Sequence, residues 1–157
     1  MNQREETRLS GGVRLPAIWK TLLLPGGDRI VLAGKYLDGD LLSLHDANHN
    51  VYRLNPAGEV VWQVRRDDSI RPPDWWEALH RLAQMQGLDG KRKPFMYIAL
   101  EYPDGHRQAS DEYGDGENIL QWERGCIIRL FGSENSYTLD TETGIATNVE
   151  IGPGRPW

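Results

Sequence analysis

The side chains most able to hold a metal ion crowd into one stretch: Asp38, Asp40, His45, Asp46, Asn48 and His49. Asp46-x-Asn48-x-Asn50 has the alternating oxygens that open a calcium-binding loop. Val51 stands where that loop needs its turn glycine, however, and Ala57 where it needs a closing glutamate. His45 and His49 would share a face only on a helix, and this polar segment does not read as one. A polar turn between strands is therefore expected, with no metal site.

A second cluster is acidic. Asp111, Glu112, Tyr113, Asp115 and Glu117, spaced by two glycines, make a flexible loop bearing one aromatic ring. A solvated loop is the plainer reading. The sharper one is a contact surface for a basic protein partner, in which carboxylates steer the encounter and the tyrosine supplies buried area. These five residues are the expected binding site. Bacterial toxin-immunity proteins share this profile of a small acidic binder, so immunity to a basic toxin is the most concrete form of the reading.

Catalytic signatures are missing from the sequence: it contains no G-x-S-x-G, H-E-x-x-H, C-x-x-C or phosphate loop. His80 lies among Leu79, Leu82 and Ala83 on a helical pattern and reads as a boundary residue, while His106 follows a turn and reads as exposed. Acid pairs such as Asp67-Asp68 are too common in loops to signal acid–base work. Lys91-Arg92-Lys93 reads as a solvated turn. An enzyme is the less favoured class, and no cofactor is implied.

Composition narrows the classes further. With 157 residues the chain is long enough for one domain with a real core. Eighteen basic against 23 acidic residues, a net charge of −5, oppose nonspecific binding to nucleic acid or an anionic membrane. The single cysteine, Cys126, excludes an intramolecular disulfide and fits a reducing compartment. Beside Ile127 and Ile128 it reads as a small buried residue. The polar N-terminus shows no apolar leader, and the run at 22–24 is too short to span a membrane, so a cytoplasmic location is expected.

The elements that must position these residues are mostly strands. Residues 1–12 read as a flexible tail and 13–157 as a single globular unit. Apolar runs separated by Pro-Gly and Asp-Gly turns place about five strands in 13–66 and more in 94–151. Between them, Pro72-Pro73-Asp74 opens a helix from Trp75 to about Gln86 within the connector 73–87. Its apolar positions Trp75, Ala78, Leu79, Leu82 and Met85 recur at helical spacing, and Gly87 ends it.

The tetrad Asn55-Pro56-Ala57-Gly58 turns Val51-Tyr52-Arg53-Leu54 into Val60-Val61-Trp62, where Trp62 is expected to be largely buried. The run from Leu54 through Trp62 resembles the blade hairpin of quinoprotein-type (PQQ-like) β-propellers. That resemblance implies blade-like hairpins and brings neither cofactor nor activity with it.

An internal repeat is also expected. Pro25 and Gly27 match Pro103 and Gly105; Tyr36, Gly39, Leu41-Leu42 and Leu44 match Trp122, Gly125, Ile127-Ile128 and Leu130; Tyr52 and Leu54 match Tyr137 and Leu139. In that alignment the acidic loop is an insertion confined to one copy. The fold expected is mainly antiparallel β with one central helix, built as two pseudo-repeated meander halves in a sandwich or barrel. An abbreviated propeller-like arrangement is the alternative. Protein binding through the acidic loop is the first functional expectation. A small-molecule binder or enzyme with a Trp/Tyr-lined pocket between the halves is the second, and convergent polar groups in a pocket would favour it.

Overall fold

A computed structural model describes residues 7–8, 14–109, 119–132 and 135–149. The fold is mainly β. Ile18–Leu23 (β3), Arg29–Ala33 (β4), Val51–Leu54 (β7) and Val60–Gln63 (β8) form one antiparallel meander. Tyr97–Glu101 (β10), Ile127–Phe131 (β13), Ser136–Leu139 (β14) and Ile145–Val149 (β15) form a second. Before them, Thr7–Arg8 (β1) pairs with Arg14–Leu15 (β2), a short ladder that reaches into the stretch read as a tail.

Each meander gains outer strands. Ile119–Gln121 (β12) lies parallel to β3, giving the order β12-β3-β4-β7-β8. Arg107–Ala109 (β11) pairs with β10, and Arg65–Asp67 (β9) lies parallel to β15, giving β11-β10-β13-β14-β15-β9. The chain thus changes sheet three times, between β8 and β9, between β11 and β12, and between β12 and β13. Both sheets keep open edges in these orders, so of the two forms expected the sandwich is the one observed. Its core draws on both sheets: Leu22, Ile30 and Leu32 from the first meet Ile98, Leu100, Ile128, Leu130 and Tyr137 from the second. Val31 and Ala33 face the other way, onto Leu15, Tyr52 and Leu54, so β4 is buried on both faces.

The hairpin turns follow their glycines. Leu24, Asn55 and Tyr102 each donate to the carbonyl four residues on, and accept from the glycine three residues on. Those glycines, Gly27, Gly58 and Gly105, all have φ between 86° and 100°. Only a residue without Cβ takes that conformation at low cost.

Part of the expected repeat is overturned by this topology. The turn at Gly27 leads from β3 to its inner neighbour β4, whereas the turn at Gly105 leads from β10 to the outer strand β11. Gly39 lies in a separate hairpin, Tyr36–Leu37 (β5) with Asp40–Leu41 (β6), while Gly125 precedes the central strand β13. Leu44 opens a helix, Leu44–Asn48 (α1), where Leu130 sits in β13. What does correspond is β7–β8 with β14–β15: Tyr52 and Leu54, like Tyr137 and Leu139, are buried, and Asn55 and Asp140 both cap their turns through a side-chain oxygen. Shared turn chemistry therefore explains the Pro-Gly matches.

The helix α1 is a second correction. Ser43 accepts the Asp46 N–H as an N-cap, which satisfies one orphan donor and lets this polar segment coil. His45 and His49 do share a face, with stacked rings 4.1 Å apart. Asp46 Oδ1 accepts from Gln63 Nε2 at 3.1 Å and lies 3.4 Å from His45 Nδ1. Among the described residues no three His, Cys, Asp or Glu side chains converge as metal ligands.

The longer helix, Trp75–Met85 (α2), ends in a Schellman motif: Leu88 N–H donates to Ala83 O, and Gly87 N–H to Gln84 O. Its expected apolar face is not the one it buries. Ala83 is its only fully buried residue among those described, while Leu82 is 46% and Met85 83% exposed. The inward edge carries Trp76, drawn to a guanidinium described below, and His80, packed against Trp76. Among the described residues no helix is long and apolar enough to cross a membrane.

Trp62 is half-buried rather than largely buried. A bulge between Arg53 and Leu54 shifts the pairing of β8, leaving Val60 and Val61 exposed. The indole lies over Gly144 and donates from Nε1 to Thr141 O at 2.8 Å, joining the β7–β8 hairpin to the β14–β15 turn.

Candidate functional site

The connection from β9 to α2 leaves the edge of the six-stranded sheet and folds into a pocket of about 410 Å³, lined by Asp68, Ser69, Arg71, Pro72, Pro73, Trp75 and Trp76. Local sequence dictates the wall. Arg71 N–H closes a turn onto Asp68 O, and Trp75 N–H onto Pro72 O, so the two prolines project as a rigid shoulder ahead of the helix. The indoles of Trp75 and Trp76, 5.4 Å apart and inclined at 45°, form a wedge against it.

Polar groups from the second meander converge behind this wall. Asp68 Oδ1 accepts from the Tyr137 hydroxyl at 2.7 Å and from Asn148 Nδ2 at 2.8 Å. Arg71 Nη2 donates to Asn135 Oδ1, and Asn148 Nδ2 points at the same oxygen at 3.5 Å. Arg71 Cζ lies 5.4 Å from the Trp75 ring centre. The parallel pairing of β9 with β15 causes this convergence: Asp67 lies opposite Thr147, so Asp68 and Asn148 emerge side by side.

Arg66 anchors the rear. Its guanidinium sits 3.9 Å from the Phe95 ring centre, 5.0 Å from that of Tyr137 and 5.7 Å from that of Trp76. It donates to the carbonyls of Asn48 and Lys93. Burial pulls its pKa down, opposed by Tyr137 and by the charge of Asp68. Burial, with Asp68 adding to it and Arg66 opposing, pushes the Tyr137 hydroxyl up to about 12, so it stays a donor at neutral pH.

Three buried polar atoms around this centre have no hydrogen-bond partner among the described residues: Arg71 Nε, Asn148 Oδ1 and His80 Nε2. His80 packs edge-on against Trp76 at 5.2 Å. Orphans of this kind are rare in folded proteins; Arg71 lines the pocket, while Asn148 and His80 touch its lining residues Asp68 and Trp76.

The residues singled out in the sequence fare unevenly. Asp111, Glu112, Tyr113, Asp115 and Glu117 lie outside the described residues; the chain that carries them joins β11, at the edge of one sheet, to β12, at the edge of the other. Asn48 and Asn50 turn inward: Asn48 bonds Lys91 O and Lys93 N–H, and Asn50 bonds Ala33 O and both polar groups of the Phe95 backbone. Lys91-Arg92-Lys93 is accordingly no free turn, for Lys93 is buried and Arg92 donates to Leu42 O. Cys126 is buried and free, as its neighbours imply. His106 is exposed and stacks on Tyr102. The pocket residues Asp68, Arg71, Trp75 and Trp76 were not singled out as a site. The available signal was the Trp pair after Pro-Pro, close to an Asp and two Arg.

Comparison with family models, with curated proteins and with solved structures finds no match to this chain.

Proposed function

We propose that this protein binds a small organic ligand in the pocket between β9 and α2. The observation carrying this reading is a pocket that combines two indoles and two proline rings with Asp68, Ser69 and Arg71, the last with an unsatisfied Nε. Apolar walls with a few placed polar groups are the usual makeup of a ligand site, and the volume lies within the usual range of about 300–1,000 Å³. The pocket lies at the connector between the meanders rather than between their sheets. The buried free cysteine fits a cytoplasmic setting for the protein.

The test is a fragment set screened by thermal shift on wild type, Trp75→Ala and Trp76→Ala. Ligands that bind the native state raise its melting temperature by mass action. Hits should stabilise the wild type and lose that effect in both variants. Hits that stabilise all three alike would place binding elsewhere.

Contact with a basic protein, immunity to a toxin included, is the second reading. It is favoured by the exposed outer face of α2, where Leu82, Met85 and, just beyond, Leu88 stand in solvent. Asp111, Glu112, Asp115 and Glu117 would steer that partner, with Tyr113 as the anchor. A pull-down comparing wild type, a variant neutralised at the four carboxylates and Tyr113→Ala tests it; equal capture by all three would remove the acidic segment from the account.

A further inference from the structure

Resting on the pocket reading, we infer that the ligand is a small carboxylate on a flat apolar body, with its charge held by Arg71. Charge pairing in the site leads there. Arg66 directs its hydrogen bonds at backbone carbonyls, and the negative charge near it is that of Asp68, whose Oδ1 is already taken by Tyr137 and Asn148. Arg71 differs. Its Nη2 meets only the neutral carboxamide of Asn135, its Nε is buried without a partner, and among the described residues no carboxylate forms an ion pair with it.

Two guanidiniums, Arg66 and Arg71, thus stand against the one carboxylate of Asp68 in this network, and a ligand carboxylate is the natural complement of the excess in charge and shape. The body of the ligand follows from the walls. The inclined indoles of Trp75 and Trp76 against Pro72 and Pro73 leave a wedge suited to a planar ring system. A cationic ligand fits poorly, because Arg66 and Arg71 already lie over the faces of Trp76 and Trp75.

The test uses matched probes, 1-naphthoate and its neutral isostere 1-naphthamide, titrated by calorimetry into wild type, Arg71→Gln and Arg71→Lys at low and high salt. The wild type should prefer the carboxylate by about tenfold, one charge-assisted contact's worth of affinity. That preference should collapse in Arg71→Gln, survive in part in Arg71→Lys, and shrink in the wild type as salt rises. Equal affinity for both probes in the wild type would overturn the carboxylate inference while leaving the pocket reading intact. So would a preference that persists in Arg71→Gln. The salt series on the wild type decides the matter even if the variants fold badly. Failure of both probes to bind would overturn the pocket reading and this inference together.

Discussion

Tyr137, on the third strand of the second meander, donates its hydroxyl proton to Asp68 Oδ1 at 2.7 Å, so the wall of the pocket is fastened to the core of the sandwich. A hydrogen bond to a charged group contributes about 1.5–3 kcal/mol. Tyr137→Phe should therefore lower the unfolding free energy by about 2 kcal/mol in urea titration. A double-mutant cycle with Asp68→Asn should return a coupling of at least about 0.5 kcal/mol. Additive losses would show that the bond contributes nothing of its own.

The same tyrosine sets an alkaline limit. Its pKa rises from 10.0 unfolded to about 12 folded, chiefly through burial, and Tyr52 behaves alike. Between those values the folded state binds more protons, so stability is intact below about pH 10 and is lost as the pH climbs toward 12. The stability–pH slope in that window should be shallower in Tyr137→Phe, and an unchanged slope would contradict the assignment.

On the acid side one sensitive group is His49. Burial holds it below the ordinary value of 6.5, helped by the charges of His45 and Arg66 and opposed by its bond to His45 O and by Asp46. A depressed folded pKa means that the unfolded state binds the extra proton first. Its contribution is complete above pH 6.5 and falls away as the pH drops through the folded value. His49→Gln should flatten the stability profile in that acid range, as followed by urea midpoints at successive pH values.

Asn50 ties the end of β4 to the segment ahead of β10 through three hydrogen bonds to Ala33 and Phe95, and it is 1% exposed. Truncation would strand two carbonyls and one N–H in the interior. Asn50→Ala should cost about 3 kcal/mol or more, against a typical surface change of about 0.5 kcal/mol. A loss below about 1 kcal/mol would show that the clamp has relaxed around the gap.

Gly144 separates space from backbone conformation. Its φ is +76°, and an added Cβ would meet Trp62 Cδ2 at 2.6 Å. Gly39 has φ +86° with nothing within 4 Å. Gly39→Ala should cost about 1–2 kcal/mol through conformation alone. Gly144→Ala should cost about 2–4 kcal/mol, because the indole must also move off Thr141 O.

Much of the architecture is legible in the sequence because its signals are local. Alternating apolar runs and Pro-Gly turns give the two meanders, and Asp74 with Gly87 brackets α2 closely. What escaped depends on tertiary partners. Ser43 capping α1 was hidden in a segment whose composition argues for a turn. The buried side of α2 was set by Trp76 meeting Arg66, with His80 packed on Trp76, against its apolar periodicity. The pocket itself arises from β9 pairing with β15 in parallel, which brings Asp68 beside Asn148 across 80 residues of chain. No local pattern in either segment announces that meeting.

The most direct test of the ligand pocket is the indole N–H spectrum of the protein titrated with 1-naphthoate. The chain has six tryptophans, each with its own resonance. Trp75 and Trp76 should shift in step with saturation, and their resonances can be assigned by single Trp→Phe variants. Trp19 and Trp62, on the first meander, should stay in place. Shifts confined to Trp19 or Trp62, with Trp75 and Trp76 unmoved at saturation, would contradict the account.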